Sequence, residues 1–271
     1  MQKLAIVTGG NTGLGKQTAI RLAGAGFNIV LGCRNIQKGN KTAAHLSKSN
    51  PAIKVEVRDL DLADLDSVAN FARNQKFTWD LLVNNAGAKI EHPAKKTMQG
   101  YEWHIGVNHL GHFALTSDLW SKASATAQVV TVSSIVARNG ELNFFSEDSE
   151  FSASIQYANS KLMNLAFATA LARKLAGSPR SSTAAHPGFA RAEAYGNVGV
   201  RIAEYLFAQS AKSGSIPIFE ACFSNNGAYL APRVMELWSG FKDGYIKDIS
   251  EENSDEFWNT SEQLTGRIFR P

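Results

Sequence analysis

The 271-residue sequence predicts an α/β fold in which helices cover both faces of a doubly wound parallel sheet. Short apolar, β-branched segments alternate with segments of helical spacing from the N-terminus onward. No linker, low-complexity segment or fixed-period repeat interrupts this alternation. Each predicted strand ends in glycine or polar residues, which suits a sheet that binds ligands at the carboxyl ends of its strands.

The individual elements follow in order along the chain. KLAIVTGG is a buried strand, and LGKQTAIRLAGAGF is a helix that stops near Gly26. NIVLGCRN is the second strand, and IQKGNKTAAHLSKSN is a helix ended by Pro51. AIKVEVRDLDL, LDSVANFARNQ and WDLLVNNAG are the third strand, its helix and the fourth strand. A helical region covers about 98 to 126, followed by the strand AQVVTVSS, the long helix SIQYANSKLMNLAFATALARKLA and the strand-like SSTAAHPG. We expect one domain of the Rossmann type over residues 1–271.

Composition narrows the class of protein. Hydrophobic residues make up 44% and charged residues 19%, which is typical of a globular chain. The net charge is +4 without a run of five basic residues, which argues against nucleic acid and suits an anionic small ligand. Cys33 and Cys222 form no disulfide framework, and His109 and His112 lack a third ligand at zinc spacing, so we predict no metal site. Without a signal peptide or an 18-residue apolar stretch, we expect a cytoplasmic protein with no membrane anchor.

The end of the first strand is a glycine loop, Thr8-Gly9-Gly10-Asn11-Thr12-Gly13-Leu14-Gly15. Glycine lets the backbone approach a pyrophosphate, and the following helix N-terminus offers free N–H groups. The spacing is G-x-x-x-G-x-G rather than G-x-G-x-x-G, so the prediction depends on the strand before and the helix after. The loop predicts dinucleotide binding by Gly9, Asn11, Thr12, Gly13, Leu14 and Gly15.

The next strand ends add cofactor contacts. The end of the second strand has no acidic residue that could bind the hydroxyls of an adenosine ribose. Arg34 at this position can instead bind a 2′-phosphate, with Lys38 assisting, which favours NADP(H) over NAD(H). An ordinary surface arginine is the alternative. Asp61 can accept the adenine amino group, and the paired asparagines before Gly87 either satisfy strand backbone or border the cofactor. The predicted contacts are Arg34, Asn35, Lys38, Asp61, Leu62, Asn85, Ala86 and Gly87.

Tyr157 and Lys161 stand four residues apart and share one helix face. Alone, they are either an ordinary surface pair or an acid–base centre. The other motifs of the chain favour the acid–base centre. In their order along the sequence they resemble the short-chain dehydrogenase/reductase superfamily: T-G-x-x-x-G-x-G from Thr8, N-N-A-G from Asn84, Asn108, the pair Ser133-Ser134, Y-x-x-x-K, and Pro187-Gly188. CRN, VNHLGHFALT, VVTVSS, GYIKD and FWNTSEQLTG also resemble the retinol dehydrogenase-like branch, which mostly uses NADP(H).

The resemblance implies a catalytic set of Asn108, Ser134, Tyr157 and Lys161. Tyr157 would be the acid in carbonyl reduction and the base in alcohol oxidation, with its pKa lowered by the Lys161 ammonium and the oxidised nicotinamide. Lys161 would also bind the nicotinamide ribose. Ser134, preferred to Ser133, would polarise the substrate oxygen. Asn108 would hold a water that relays protons from Lys161, and a helix kink or cap is a compatible structural role.

Other implications concern the Pro187-Gly188 segment and the assembly of the protein. Pro187 and Gly188 would pack beside the nicotinamide, with the backbone of Phe189 and Ala190 near its carboxamide. Ala192 stands where the family commonly has a threonine. The resemblance also implies a homodimer or homotetramer formed through the long helices.

Two segments, 138–156 and 189–226, are predicted to form the substrate cleft. They carry apolar stripes that are either helix core or cleft lining: Phe144, Phe145, Phe151, Val198, Val200, Ile202, Tyr205, Leu206 and Phe207. We therefore expect a fairly large apolar carbonyl or alcohol substrate of retinoid, steroid or lipid-aldehyde type. The alternatives are a non-catalytic NADP(H)-binding sensor or scaffold of the same fold, a nucleotide-sugar epimerase or dehydratase, and a nucleic-acid binder.

Overall fold

The computed structural model describes residues 2–88, 95–144, 151–189, 208–244 and 250–271. Its strands are Leu4–Thr8 (β1), Asn28–Gly32 (β2), Val55–Arg58 (β3), Trp79–Asn84 (β4), Ala123–Val132 (β5), Ser181–Ala185 (β6), Tyr229–Ala231 (β7) and Lys242–Asp243 (β8). They form one sheet in the order β3-β2-β1-β4-β5-β6-β7-β8. Neighbouring strands are parallel except for β8, which runs antiparallel to β7. The chain order reverses between β1 and β4, which is where such sheets open a ligand crevice.

Helices connect these strands. They are Gly13–Gly24 (α1), Ile36–Ser49 (α2), Leu65–Arg73 (α3), Trp103–Ile105 (α4), Gly111–Leu119 (α5), Ala153–Lys174 (α6), Ala211–Ala221 (α7) and Glu251–Thr265 (α8). A π-helix, Gly106–Leu110, joins α4 to α5, and 3-10 turns occupy Trp120–Lys122 and Ile135–Asn139. In the described part of the chain, no helix is both long enough and apolar enough to cross a bilayer.

The alternation of β1 explains why both faces of the sheet are covered. Ile6 belongs to one buried apolar cluster, whereas its neighbours Ala5 and Val7 belong to the other. Because successive side chains of a strand point to opposite faces, a strand that is apolar throughout must lie between two helical layers. The predicted doubly wound fold is confirmed.

One element prediction needs correction, and two strands were missed. The region 98–126 is not continuously helical, because α4 begins at Trp103 and β5 already begins at Ala123. Ala123 pairs with Trp79, and the register shifts before Leu81 pairs with Gln128, so sheet pairing overrides local helical preference there. The short strands β7 and β8 carry too few residues for a periodic signal and were not predicted.

The C-terminal helix α8 packs on the two helices that follow β4 and β5. Trp258 contacts the rings of Phe113 from α5 and Phe167 from α6, with centroid separations of 5.2 and 5.9 Å. Phe113 and Phe167 also contact each other at 5.7 Å. These faces of α5 and α6 are therefore covered by the chain itself.

Candidate active site

Hydrogen bonds join the end of β1 to the end of β4 at the point where the strand order reverses. The hydroxyl of Thr8 accepts hydrogen bonds from the backbone N–H groups of Asn85 and Ala86, each at 2.9 Å. The side-chain amide of Asn85 in turn donates to the carbonyl of Thr8 at 2.8 Å. These bonds place the glycine loop directly beside the N-N-A-G segment.

Two glycines of the loop are required by geometry. A Cβ on Gly15 would lie 2.5 Å from the Gly9 carbonyl oxygen and 2.4 Å from Asn85 Nδ2, so α1 starts against the turn and leaves no room for a side chain. Gly13 has φ +54°, which a residue with a side chain rarely adopts, and a Cβ there would point into open space. The turn therefore exposes backbone at the start of α1, where N–H groups can face phosphates.

A cleft of about 400 Å³ opens at this edge, a size in the range of ligand sites, which is roughly 300–1,000 Å³. Its lining includes the predicted residues Gly9, Asn11, Thr12, Gly13, Leu14, Gly15, Arg34, Asn35, Lys38, Asp61, Leu62, Asn85, Ala86 and Gly87. It also includes residues that sequence reasoning missed: Gly32, Cys33, Leu60, Ala88, Trp103 and Val107. Trp103 and Val107 are four residues apart in a helical region, and that spacing was the available signal.

These residues fit a nicotinamide dinucleotide. The glycine loop and the α1 N-terminus would hold its pyrophosphate, and the exposed Arg34 and Lys38 lie at the β2 end of the cleft, where an adenosine ribose would be. The Asn35 side chain accepts from the N–H of Lys38 at 2.8 Å and so caps α2. One carboxylate oxygen of Asp61 accepts from the N–H of Ala63 at 2.9 Å, which ties it to its own loop.

The Tyr157–Lys161 pair lies on α6, with its phenol facing the end of β5. Lys161 is buried and donates to the carbonyl of Val132 at 3.2 Å, and its Nζ lies 5.8 Å from the centroid of the Tyr157 ring. The side chain of Ser134 is hydrogen-bonded to the Tyr157 phenol. Ser133 instead donates to the carbonyl of Lys161 at 2.7 Å. Of the two serines, Ser134 is thus the one beside the phenol.

Burial sets the ionisation of this pair. It raises the pKa of Tyr157 above its ordinary value, and the hydrogen bond with Ser134 acts in the opposite sense. It lowers the pKa of Lys161 to about 8. The predicted lowering of the Tyr157 pKa is therefore not supplied by the protein's own groups, because desolvation of the phenolate outweighs them. At neutral pH the site presents a protonated phenol beside an ammonium group.

Asn108 is fully buried in the π-helix and uses both ends of its side chain. Its Oδ1 accepts from the N–H of Ala88 at 2.6 Å, and its Nδ2 donates to the Ser160 hydroxyl on α6 at 2.9 Å. A Cβ on Gly87 would lie 3.0 Å from Asn108 Oδ1 and 3.4 Å from Lys161 Nζ. Asn108 and Lys161 therefore both lie against the end of β4, beside the cleft.

Pro187 and Gly188 lie outside the cleft lining, in a turn after β6. The N–H of Gly188 donates to His186 Nδ1 at 3.1 Å, and the other ring nitrogen of His186 lies 3.3 Å from the Glu236 carboxylate. The N–H of Phe189 donates to the carbonyl of Leu237 at 3.1 Å rather than being available to a carboxamide. Sequence reasoning missed His186 and Glu236, since 50 residues separate them.

Several predictions concern residues beyond the described ranges. Ala190, Ala192, Phe145 and the apolar stripe from Val198 to Phe207 lie outside them. Phe144 packs on Phe257 at 5.6 Å and on His109 at 5.8 Å between ring centroids. Of the two predicted roles for Phe144, helix core or cleft lining, these contacts fit the core. Beside the phenol lies a further residue that was missed, His104, with its ring centroid 6.2 Å from that of Tyr157.

Comparison with known proteins identifies the family to which the chain belongs. A short chain dehydrogenase family model matches residues 3–199. The chain is 34% identical to retinol dehydrogenase 12 of Homo sapiens over 277 residues, covering 97% of this chain and 86% of that protein. It is 42% identical to retinol dehydrogenase 11 of Mus musculus over 198 residues, covering 70% and 62% of the two chains.

Solved structures give the same result. An uncharacterized protein from Mycobacterium Paratuberculosis superposes with a TM-score of 0.78 at 34% identity, covering 99% of this chain and 95% of that one. A short-chain dehydrogenase from Sphingobium yanoikuyae in complex with NADPH superposes with a TM-score of 0.62 at 25% identity, covering 78% and 80%. The chain therefore belongs to the short-chain dehydrogenase/reductase family of oxidoreductases, in its retinol dehydrogenase-like branch.

Proposed function

We propose that this protein is an NADP(H)-dependent oxidoreductase that interconverts an alcohol and a carbonyl, with Tyr157 as its acid–base residue. One observation carries the proposal. The Tyr157 phenol is hydrogen-bonded to Ser134, and Lys161 Nζ lies 5.8 Å from the centroid of the Tyr157 ring. When bound, the nicotinamide supplies or accepts the hydride. The protein's own groups handle the proton and the charge on the substrate oxygen.

In the direction of reduction, the phenol of Tyr157 donates its proton to the substrate oxygen while the Ser134 hydroxyl donates a hydrogen bond to it. In the direction of oxidation, the same groups act in reverse, and Tyr157 takes the alcohol proton. The buried Lys161 ammonium stabilises the phenolate that donation leaves behind. Asn108 would support the water that returns a proton to this pair.

The test of catalysis is Tyr157→Phe, which removes the exchangeable proton and keeps the ring. We expect turnover to fall by about 10²–10⁴-fold, because general acid–base catalysis is typically worth that much. NADPH binding, followed by fluorescence titration, should stay at the wild-type level. Turnover that survives the change would sink the assignment. A wild type that binds NADPH but turns over no alcohol or carbonyl would favour the sensor or scaffold alternative.

The preference for NADP(H) is proposed from Arg34 and Lys38 at the β2 end of the cleft. The NADPH complex of the Sphingobium yanoikuyae relative supports it. Arg34→Ala should weaken NADPH binding by about tenfold, since a hydrogen bond to a charged group is worth roughly 1.5–3 kcal/mol and an exposed site reduces that value. NADH binding should be unchanged. Lys41→Ala is the matched control, because Lys41 is an exposed cation of α2 outside the cleft lining. Equal wild-type affinity for the two cofactors would contradict the assignment.

For the substrate we propose a fairly large apolar alcohol or carbonyl, of retinoid, steroid or lipid-aldehyde type, bound by segments 138–156 and 189–226. The support is the apolar composition of these segments and the similarity to proteins named retinol dehydrogenases. A panel of carbonyls graded in size and polarity measures the preference. Activity confined to small polar carbonyls would refute it.

A homodimer or homotetramer remains a proposal, but the surfaces that would form it differ from the predicted ones. The faces of α5 and α6 that carry Phe113 and Phe167 are covered by Trp258. An assembly would therefore use other surfaces of the protein. Light scattering of the purified protein gives its mass in solution and therefore the number of copies in the assembly.

A further inference from the structure

His112 lies in the middle of a buried hydrogen-bond chain that joins β1, which precedes the glycine loop, to α6, which carries Tyr157 and Lys161. Its Nε2 lies 2.9 Å from the hydroxyl of Thr8 at the end of β1, and its Nδ1 lies 2.9 Å from the carbonyl oxygen of Asn108. Thr8 and Asn108 are fully buried, and His112 is 1% exposed. Water therefore cannot replace either bond without rearrangement of the helix, and each partner depends on the imidazole.

The hydrogen bonds of Thr8 fix the role of Nε2. The Thr8 oxygen already accepts from the N–H groups of Asn85 and Ala86, which occupies both of its lone pairs. Its single proton can reach either His112 Nε2 at 2.9 Å or the Val83 carbonyl at 3.3 Å. The shorter contact is the better hydrogen bond, so Nε2 is the acceptor.

The other ring nitrogen must then carry the proton of a neutral imidazole. Nδ1–H donates to the Asn108 carbonyl, which has no proton to give. Burial and the nearby Lys161 ammonium lower the pKa of His112 to about 4, which keeps the ring neutral at neutral pH. Only the neutral tautomer protonated at Nδ1 satisfies both bonds, so the two partners determine which ring nitrogen carries the proton.

The Asn108 end of the chain continues to the catalytic helix. Asn108 lies in the π-helix, where regular helical hydrogen bonding is interrupted and a side chain such as His112 can bind a main-chain carbonyl. Its side chain donates to the Ser160 hydroxyl, which donates to the carbonyl of Tyr157 at 2.8 Å. The hydrogen-bond chain from Thr8 to Tyr157 therefore connects β1, α5, the π-helix and α6.

We propose that His112, as its neutral Nδ1–H tautomer, is a positioning residue that holds the Asn108 carbonyl and thereby sets the catalytic helix relative to the cofactor loop. The proposal rests on the function proposed above for Tyr157. His112 does not contact the reacting atoms. Its effect is to keep the proton-handling groups in register with the strand end that would carry the cofactor.

His109 offers a matched comparison from the same helical region. It is equally buried, but its Nε2 bonds the Ser261 hydroxyl on α8 at 2.9 Å, and its ring packs on Phe257 at 4.8 Å between centroids. These partners belong to the core between α5, α6 and α8 and not to the cleft. A purely structural role for a buried histidine would make the two positions behave alike.

The experiment compares His112→Phe, His112→Asn and His109→Phe. His112→Phe removes both bonds, whereas His112→Asn retains a donor near the Nδ1 position and is too short to reach Thr8. For His112→Phe we expect kcat to fall by about 10–100-fold, with KM for the substrate changed far less and the pH profile of kcat displaced. His112→Asn should recover part of kcat. His109→Phe should lower the melting temperature while kcat and its pH profile stay at wild-type values.

Two results would overturn the proposal: wild-type kcat in folded His112→Phe, or an equal loss of kcat in His109→Phe. A second measurement covers the case in which His112→Phe does not fold. Nitrogen-15 NMR of the labelled wild type should show His112 protonated at Nδ1 and unprotonated at Nε2, and the opposite tautomer would overturn the proposal. This readout is independent of turnover, so an inactive wild type would count against the proposed function alone.

Discussion

Gly15→Ala tests whether the start of α1 is packed as tightly against the glycine loop as the structure indicates. The new Cβ would lie 2.5 Å from the Gly9 carbonyl oxygen, about 0.5 Å closer than the 3.0 Å limit that real Cβ atoms keep. A backbone oxygen cannot rotate away, so α1 and the loop must separate. Such overpacking costs about 1–3 kcal/mol of the free energy of unfolding. For a chain of this size, each kcal/mol lowers the melting temperature by roughly 2–4 °C.

Gly24→Ala is the control on the same helix. Gly24 is exposed, a Cβ there would meet no atom within 4 Å, and its φ lies outside the left-handed region. The change should raise the free energy of unfolding by about 0.4–1 kcal/mol, because alanine loses less backbone entropy than glycine on folding. The two variants add the same methyl group, so their difference isolates the contacts of residue 15 with Gly9 and Asn85.

Thermal unfolding and NADPH titration together read out the effect. Gly15→Ala should unfold at a lower temperature than wild type and bind NADPH about tenfold more weakly, which corresponds to roughly 1.4 kcal/mol of binding free energy. Gly24→Ala should unfold slightly higher and bind normally. The packing argument would be refuted by a Gly15→Ala protein that matches Gly24→Ala in both measurements.

Three further predictions concern residues of the site and of the core. Burial lowers the pKa of Lys161 from 10.5 to about 8, so its ammonium destabilises the folded state fully below pH 8 and the penalty is released between pH 8 and 10.5. The free energy of urea unfolding of wild type should therefore rise over that window relative to Lys161→Met, and parallel pH curves would contradict this. Ser134→Ala should reduce kcat with little loss of stability, whereas Ser133→Ala should lower the melting temperature, because Ser133 bonds main chain; the reverse pattern would exchange their roles. Phe257→Ala should cost about 3–5 kcal/mol in chemical denaturation, since Phe257 is 2% exposed, and a loss below 1 kcal/mol would show that α8 is not part of the core.

The cleft was predictable because its chemistry is local. The glycines from Gly9 to Gly15 follow one strand and precede one helix, so the local sequence places them at the cleft. Tyr157 and Lys161 are one helical turn apart, which puts them on one helix face outside the cleft lining but does not by itself distinguish an acid–base centre from a surface pair. The alternation of strands and helices then brings all strand ends to one edge of the sheet. Arg34 was found in the same way, from its position immediately after a strand.

Other features were decided only by tertiary contacts. The bond between Thr8 and His112 spans 104 residues, and the contact between the His186 ring and the Glu236 carboxylate spans 50. In the sequence, His109 and His112 look alike, yet one faces the C-terminal helix and the other faces the strand that would carry the cofactor. No local pattern distinguishes them, because the partner of a buried polar side chain depends on which distant element packs against it.

Local patterns were enough to predict the strands β1 to β6, the glycine loop and the proposed pair of Tyr157 and Lys161, since each pattern spans residues a few positions apart. The opposing pKa shifts of Tyr157 and Lys161 and the covering of α5 and α6 by α8 depend instead on tertiary contacts. The physical reason is burial: desolvation and packing depend on every element around a group, whereas spacing along the chain reports only its neighbours.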